Sequence, residues 1–331
     1  MIARFAIIFC LFVIFIGVPV LFALLCRWLA PKRYWKWTAL ACTLLIWGVV
    51  AYGYFIGFEE LEVRQVEYVS ADLPEAFDGY RIVQFSDAHV GTFKGSRQWM
   101  LKRAVDSINA QKADAIVFTG DMQNLYPEDI APHLPVLRQL HAPDGVYGVL
   151  GNHDYAIYID ADSVTQQRND SRTIQLMKQT GWTILLNEHR IIRRDSDSIV
   201  VAGMENWGKM KRMPRGGNVK KTLAGVRQLP SREKGQKVGS PFIVMLSHDP
   251  SAWREKILPE SIAQLTLSGH THGGQFSLFG WSPVAWSYDE WYGMTYEGPR
   301  AVFVSAGLGA LIPFRLGKPG EIVVITLRCK K

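Results

Sequence analysis

The chain has 331 residues, enough for one large domain or two ordinary ones, and 48% of them are hydrophobic, near the upper end for a globular chain. Its formal net charge of +7 is unevenly distributed, because residues 1–58 hold five Lys or Arg and no acid, which leaves 32 bases against 30 acids elsewhere. Since nucleic-acid-binding domains have strongly basic surfaces, this near-neutral remainder argues against a nucleic-acid partner and against a nuclease.

Two segments near the N-terminus, residues 6–26 and 38–58, contain no charged residue. Because roughly 20 apolar residues in a helix cross the hydrocarbon core of a bilayer, both segments are predicted to be transmembrane helices. A cleaved signal peptide is the alternative for the first segment. Its apolar run is too long for one, and no cleavage pattern of small residues follows it.

The charges around these segments predict their orientation. The connection of residues 27–37 carries four basic residues and no acid, whereas three glutamates lie among residues 59–62. Since short basic loops stay in the cytoplasm, the connection is predicted to be cytoplasmic. The rest of the chain is then expected on the extracytoplasmic side of a cell membrane that the protein crosses twice.

Residues 1–58 are therefore interpreted as a membrane anchor, 59–78 as a linker and 79–331 as a globular domain. From Tyr80 onward, short apolar bursts alternate with longer amphipathic stretches such as residues 99–111, which predicts an α/β domain. The bursts cover residues 81–87, 114–121, 145–154, 242–249, 264–270, 301–307 and 321–327, and each is predicted to be a buried strand.

Five of these bursts end in residues that can bind a metal. The five blocks are Asp87-Ala88-His89, Gly120-Asp121, Gly151-Asn152-His153-Asp154, Ser247-His248-Asp249 and Gly269-His270-Thr271-His272. Any one block alone is a weak signal, because short motifs of this kind occur by chance. Ligands collect at the carboxyl ends of strands in open α/β sheets, so the five blocks together predict one site.

This ordered set of blocks resembles the binuclear metallophosphoesterases, also called calcineurin-like phosphoesterases, over roughly residues 78–327. The resemblance implies an α/β fold in which a β-sandwich is flanked by helices in αββα order. The two apolar segments and the sequence Gly273-Gly274-Gln275 are similar to a bacterial membrane-associated branch. That branch includes UDP-2,3-diacylglucosamine pyrophosphatases and phosphodiesterases without an assigned substrate.

The resemblance also implies a role for each residue of the site. One metal ion would be held by Asp87, His89 and His272, a second by Asn152, His248 and His270, and Asp121 would bridge the two. His153 would protonate the leaving group, and Asp154 would orient the His153 imidazole. These donors suit Mn, Fe or Zn without choosing among them. The sequence departs from the common family pattern at Ala88 and at Met122-Gln123-Asn124, which are not ligand positions.

The expected reaction is hydrolysis of a phosphoester by water activated between two divalent metal ions. The predicted topology favours a lipid- or envelope-linked phosphodiester, phosphomonoester or diphosphate. A UDP-2,3-diacylglucosamine pyrophosphatase is one alternative, and a non-catalytic binding module on the same fold is another. An aromatic run at residues 276–296 is interpreted as a packed β-hairpin rather than a lipid-facing rim, and the basic stretch 208–221 as an exposed loop.

Overall fold

In the computed structural model, residues 16–29, 34–226 and 241–330 are described. They divide into two compact units. One holds the described residues up to Phe58 together with Phe314–Leu316, and the other holds Glu59–Pro313 and the residues from Gly317 onward.

The first unit contains two apolar helices, α1 Val18–Leu29 and α2 Trp35–Phe55. With the turn that follows it, α2 belongs to a 25-residue helical run, Trp35–Glu59, that is long and apolar enough to cross a membrane. The predicted span 38–58 falls within this run. Of the predicted span 6–26, residues 6–15 lie outside the described residues and α1 has only 12 residues. Two transmembrane helices therefore stay a prediction.

The second unit is a mixed α/β domain with two sheets, as expected for the implied fold. Its strands are β1 Leu61–Ser70, β2 Arg81–Phe85, β3 Ala115–Phe118, β4 Val146–Gly148, β5 Thr183–Ile184, β6 Glu188–Arg194, β7 Asp197–Gly203, β8 Phe242–Leu246, β9 Leu265–Ser268, β10 Gly293–Glu297, β11 Arg300–Val304 and β12 Gly320–Cys329. Its helices are α3 Gln98–Ala110, α4 Leu134–Leu137, α5 Ser163–Lys178, α6 Val219–Thr222 and α7 Leu258–Glu260. Each of the seven predicted bursts overlaps one strand.

The first sheet has the order β1-β12-β2-β3-β4-β5, and the second has the order β10-β11-β9-β8-β7-β6. Neighbouring strands from β2 to β5 are parallel in the first sheet. In the second sheet β7, β8, β9 and β11 are likewise parallel to one another. Parallel strands end at a common edge, so the loops after β2, β3 and β4 emerge together, as do those after β8 and β9.

The main hydrophobic core lies between the two sheets. Ile82 and Val117 of the first sheet pack there with Val244 and Leu267 of the second. Because successive side chains of a strand point to opposite faces, Met245 faces away from this core. It packs instead in a second cluster with residues of the helical segment that precedes α7. Strand β8 is therefore buried on both faces, which explains its unbroken apolar sequence.

The interpretation of residues 59–78 as a linker is wrong. Strand β1 pairs in parallel with β12 along its whole length, from Leu61 opposite Gly320 to Ser70 opposite Cys329. Tyr68 is fully buried and joins the core between the sheets. Strand β1 lies at the edge of its sheet, where charged side chains are common, and those charges concealed its strand pattern.

Candidate metal centre

All seven predicted metal ligands lie in the loops that follow β2, β3, β4, β8 and β9. Hydrogen bonds between the two sheets join these loops and the strands that precede them. The Gln84 side chain donates to the Ser268 carbonyl at 2.8 Å, and the His270 backbone N–H donates to the Asp87 carboxylate at 3.0 Å. The structure thus brings residues from both sheets to one place.

The first donor group consists of Asp87, His89 and His272, whose ligand atoms all lie within 4.8 Å of one another. The Nε2 atoms of His89 and His272 face each other at 3.2 Å. The Asp87 carboxylate lies 3.4 Å from Nε2 of His272. Two imidazole nitrogens and one carboxylate oxygen therefore converge on a single point, as ligands of one divalent cation would.

The second donor group consists of Asp121, His248 and His270, again with ligand atoms within 4.8 Å. The Oδ1 atom of Asn152 lies 2.6 Å from Nδ1 of His270 and 3.1 Å from Nε2 of His248. The amide oxygen thus completes this group, although an amide is a weaker indicator of a metal site than a carboxylate.

Asp121 lies between the two groups. Its Oδ2 atom is 3.6 Å from Nε2 of His89 in the first group and 3.1 Å from Nε2 of His248 in the second. Burial alone would raise the pKa of Asp121, but His248 and His153 outweigh burial and hold it well below the usual value. An ionised carboxylate facing both groups is the expected partner for two neighbouring dications.

Backbone carbonyls determine which ring nitrogen of two of these histidines faces the site. His89 Nδ1 donates to the Gln123 carbonyl at 3.1 Å, and His248 Nδ1 donates to the Thr119 carbonyl at 2.7 Å. Each Nε2 is left to face the donor groups, as in many metal-binding histidines. Burial lowers the pKa of His89 to about 3. Burial also disfavours charge on His248, but Asp121 opposes it and raises that pKa to about 10, so its Nε2 binds either a proton or a cation.

The backbone is strained at five of the candidate ligands. The φ angles of Asp87, His89, Asp121, His270 and His272 are 48°, 40°, 63°, 73° and 53°. Residues other than glycine rarely adopt this left-handed region, and such strain clusters at functional sites. The fold therefore holds these side chains in place at a conformational cost.

Two glycines allow the loops to approach one another closely. A Cβ on Gly151 would collide with the Asp121 carboxylate, and a Cβ on Gly269 would collide with the Asp87 carboxylate. The glycines in these two sequence blocks therefore make room for the acidic ligands.

His153 is oriented by a backbone carbonyl and not, as predicted, by Asp154. Its Nδ1 atom lies 2.6 Å from the Asn124 carbonyl oxygen, which accepts the ring proton and leaves Nε2 available. The fully buried Asp154 accepts instead from backbone N–H groups of the loops after β3 and β4. Its four donors are the N–H groups of Asp121 (2.9 Å), Met122 (2.8 Å), Gln123 (3.2 Å) and Gly151 (2.9 Å). Burial and the Asp121 charge raise its pKa to about 7.

Two tyrosines at the site lie outside the sequence blocks. The Tyr158 hydroxyl accepts a hydrogen bond from Asn152 Nδ2 at 2.7 Å, which turns the Oδ1 atom toward the donor group. Its ring also stacks on the His153 ring, with centroids 4.4 Å apart. Tyr288 approaches His270 from the other side, with its hydroxyl 2.8 Å from Nε2. Neither tyrosine has a motif of its own, so sequence patterns alone did not identify them.

The sequence departures at Ala88 and Met122-Gln123-Asn124 leave these contacts intact. The Gln123 and Asn124 atoms that orient His89 and His153 are backbone carbonyl oxygens, which any residue supplies. The Gln123 side chain adds a bond of its own, since it donates to the His153 carbonyl at 2.9 Å. Ala88 is fully buried and contributes packing.

Residues 80–274, more than half of the chain, match the family model described as calcineurin-like phosphoesterase. The chain belongs to this family. It is 33% identical over 288 residues to an uncharacterized metallophosphoesterase, YkuE, of Bacillus subtilis, covering 84% of this chain and 90% of that protein. It is 30% identical over 294 residues to a transmembrane protein with metallophosphoesterase domain of Danio rerio, covering 86% of this chain but only 62% of that protein.

A third relative has a named substrate. The chain is 24% identical over 347 residues to the UDP-2,3-diacylglucosamine pyrophosphatase LpxG of Chlamydia trachomatis, covering 88% of this chain and 95% of that protein. Family membership makes this metallophosphoesterase a phosphoester hydrolase that depends on two metal ions. The residues present fit such a pair, because two converging donor groups flank one buried carboxylate.

Proposed function

We propose that Asp87, His89 and His272 hold one divalent ion, that Asn152, His248 and His270 hold the second, and that Asp121 bridges them. The observation that carries the proposal is the position of the Asp121 carboxylate, 3.6 Å from His89 and 3.1 Å from His248. The two ions, Mn, Fe or Zn, would lower the pKa of an attacking water and neutralise charge on the phosphoryl oxygens.

His153 is the proposed acid of the reaction. Its Nδ1–H is committed to the Asn124 carbonyl, so only Nε2 can exchange a proton with the substrate. A proton on Nε2 would pass to the leaving oxygen as the bond to phosphorus breaks. The stacked Tyr158 ring limits rotation of the imidazole and keeps that nitrogen in place.

Hydrolysis of bis-p-nitrophenyl phosphate by the full-length protein with added Mn²⁺ tests this proposal. His153→Ala should lower kcat by about 10²–10⁴-fold, the usual contribution of a general acid, without changing the metal content. His141→Ala is a matched control, because His141 is exposed and the described hydrogen bond of its ring is to the Gln139 carbonyl. Equal rates for the two variants would reject the assigned role, and no hydrolysis by the unmodified protein would reject the activity on diesters.

The proposed substrate is a lipid- or envelope-linked phosphodiester, phosphomonoester or diphosphate, and nucleic acid is not expected. The long apolar helix supports a membrane location, and the basic residues at 27–37 support an extracytoplasmic domain on a protein with two membrane spans. We further propose that the catalytic domain begins at Glu59, where the second compact unit starts. Reporter fusions at the C-terminus test the orientation, and a reporter active only in the cytoplasm would reject it.

A UDP-2,3-diacylglucosamine pyrophosphatase is the second candidate function. The specific observation that favours it is the similarity to the chlamydial LpxG along 95% of that protein's length. Its UDP-linked substrate is cytoplasmic, so this function requires the opposite orientation of the catalytic domain. Parallel assays of UDP-2,3-diacylglucosamine and of phospholipid monoesters and diesters distinguish the candidates. A rate that is highest on the UDP-linked lipid would select the pyrophosphatase.

A further inference from the structure

Several large apolar side chains beside the metal centre are exposed. Phe279 is 99% exposed and Trp286 is 81% exposed. Leu278, Trp281, Leu311 and Ile312 are each about half exposed, and together these six residues are named the apolar patch. The interpretation of residues 276–296 as a packed hairpin therefore does not hold for the part of the run at the patch. A group of large exposed apolar side chains from neighbouring segments is a candidate interaction site.

Hydrogen bonds give the patch a defined shape. The backbones of Leu278 and Trp281 exchange two hydrogen bonds, of 2.9 and 3.0 Å. The two residues between them, Phe279 and Gly280, have φ angles of 51° and 83°, as in the tightest hairpin turns. A phenylalanine is unfavourable in this conformation and unfavourable in water, yet the turn presents it at the tip. The turn is thus built to display an apolar side chain.

Further contacts join the members of the patch. The rings of Trp281 and Trp286 lie edge to face, with centroids 5.0 Å apart. Gln275 Nε2 donates to the Ile312 carbonyl at 3.0 Å, which connects the segment before the turn with the loop after β11. The patch is therefore drawn from two loops that this hydrogen bond joins.

The composition of both loops fits a lipid surface better than a protein partner. Residues 276–288 and 301–314 contain no charged side chain. Tryptophan prefers the boundary between headgroups and acyl chains, and phenylalanine inserts below it. In the sequence, Pro313 alone separates Ile312 from Phe314–Leu316, which belong to the same compact unit as the apolar helix α2. The loop that carries Leu311 and Ile312 is thus continuous in sequence with a segment of that unit.

The patch is also connected to the metal centre. The segment that bears four of its six residues begins directly after the turn His272–Gly274 and ends at Tyr288, whose hydroxyl contacts His270. We infer that the apolar patch inserts into the surface of the bilayer and holds the mouth of the metal centre against lipid headgroups. The substrate class is then a phosphoester within a membrane lipid. The substrate class rests on the proposed function, whereas insertion of the patch does not.

Fluorescence quenching tests insertion without reference to activity. The full-length protein, with Cys10, Cys26, Cys42 and Cys329 replaced by Ser, receives one environment-sensitive fluorophore through Phe279→Cys. Val164→Cys is the matched control, because Val164 is an exposed apolar residue on α5, outside the patch. Both proteins are placed in nanodiscs of phosphatidylethanolamine and phosphatidylglycerol, with and without nitroxide-labelled lipid.

The nitroxide lipid should quench the probe at position 279 several-fold more than the probe at position 164, and aqueous iodide should do the reverse. Equal quenching at the two positions would overturn the inference. Shielding of position 279 from both iodide and nitroxide lipid would also overturn it, since a second protein surface would then cover the patch.

Hydrolysis of a soluble and of a lipid-attached substrate tests separately whether the patch gives access to lipid. Phe279→Glu combined with Trp286→Glu should leave bis-p-nitrophenyl phosphate hydrolysis within two-fold of the unmodified rate. The same change should reduce hydrolysis of phosphatidyl-p-nitrophenol in vesicles at least ten-fold, because the two probes share a leaving group and differ in lipid attachment. Equal loss on both probes would contradict a role in lipid access. If the unmodified protein cleaves neither probe, the proposed function fails, and the quenching result still decides whether the patch inserts.

Discussion

Replacement of Asp154 by asparagine should destabilise the catalytic domain rather than merely slow the reaction. Each carboxylate oxygen of Asp154 accepts two backbone N–H groups, and the side chain is fully buried. In the Asp154→Asn variant the NH₂ group faces two N–H donors in either orientation of the amide, so two hydrogen bonds to a charged group are lost. At about 1.5–3 kcal/mol each, the free energy of unfolding should fall by roughly 3–6 kcal/mol.

The assay is thermal unfolding followed by tryptophan fluorescence at pH 8, above the pKa of about 7 to which burial raises this carboxyl. For a domain of this size, 1 kcal/mol corresponds to about 2–4 °C, so the midpoint should fall by roughly 6–24 °C. Asp170→Asn is the control, because that half-buried carboxylate accepts one backbone bond, from Ala156 at 2.7 Å. Its midpoint should change by no more than a few degrees.

The result that refutes the reasoning is a midpoint for Asp154→Asn equal to that of Asp170→Asn. A loss of kcat with unchanged stability would instead restore the role first expected from the sequence, in which Asp154 orients the His153 imidazole. The two outcomes differ because the carboxylate joins two loops in one case and acts on a single ring in the other.

Three further predictions concern the metal centre and its surroundings. Tyr158→Phe removes the hydroxyl that accepts a hydrogen bond from the Asn152 amide but keeps the ring stacking. The affinity for one of the two Mn²⁺ ions should therefore fall about 10-fold in calorimetric titration. An unchanged isotherm would argue against a role of Tyr158 in orienting Asn152. Gly151→Ala should abolish tight binding of both ions because its Cβ meets Asp121, whereas Gly216→Ala, with only ordinary contacts, should not. Burial lowers the pKa of His133, so below about pH 6.5 the unfolded chain binds more protons than the folded one, and the free energy of unfolding should fall on acidification. His133→Gln should reduce that fall, as measured by thermal unfolding midpoints at pH 7.5 and 5.5.

The sequence predicted the strands and their meeting point well, because two physical signals coincided there. Buried parallel strands need unbroken apolar runs, and residues such as Asp87 and His248 stood directly after them. The metal-binding residues could therefore be predicted from an ordered series of short sequence blocks. The edge strand β1 was missed for the converse reason, since a half-exposed strand with alternating charges resembles a linker.

The contacts around the ligands could not be predicted from sequence. Asp154 follows His153 directly, which favoured an interaction between neighbours, but the local turn directs the carboxylate toward backbone N–H groups. Tyr158 and Tyr288 reach the centre only through the path of the loops. The exposure of Phe279 likewise depends on a two-residue turn whose backbone angles no pattern of apolar residues specifies.

The most direct test of the central claim is a titration of the metal-stripped full-length protein with Mn²⁺, followed by hydrolysis of bis-p-nitrophenyl phosphate. Two donor groups that share Asp121 predict that activity rises until two equivalents per chain are bound and then stays constant. Full activity after one equivalent, or activity independent of added metal, would contradict a binuclear centre.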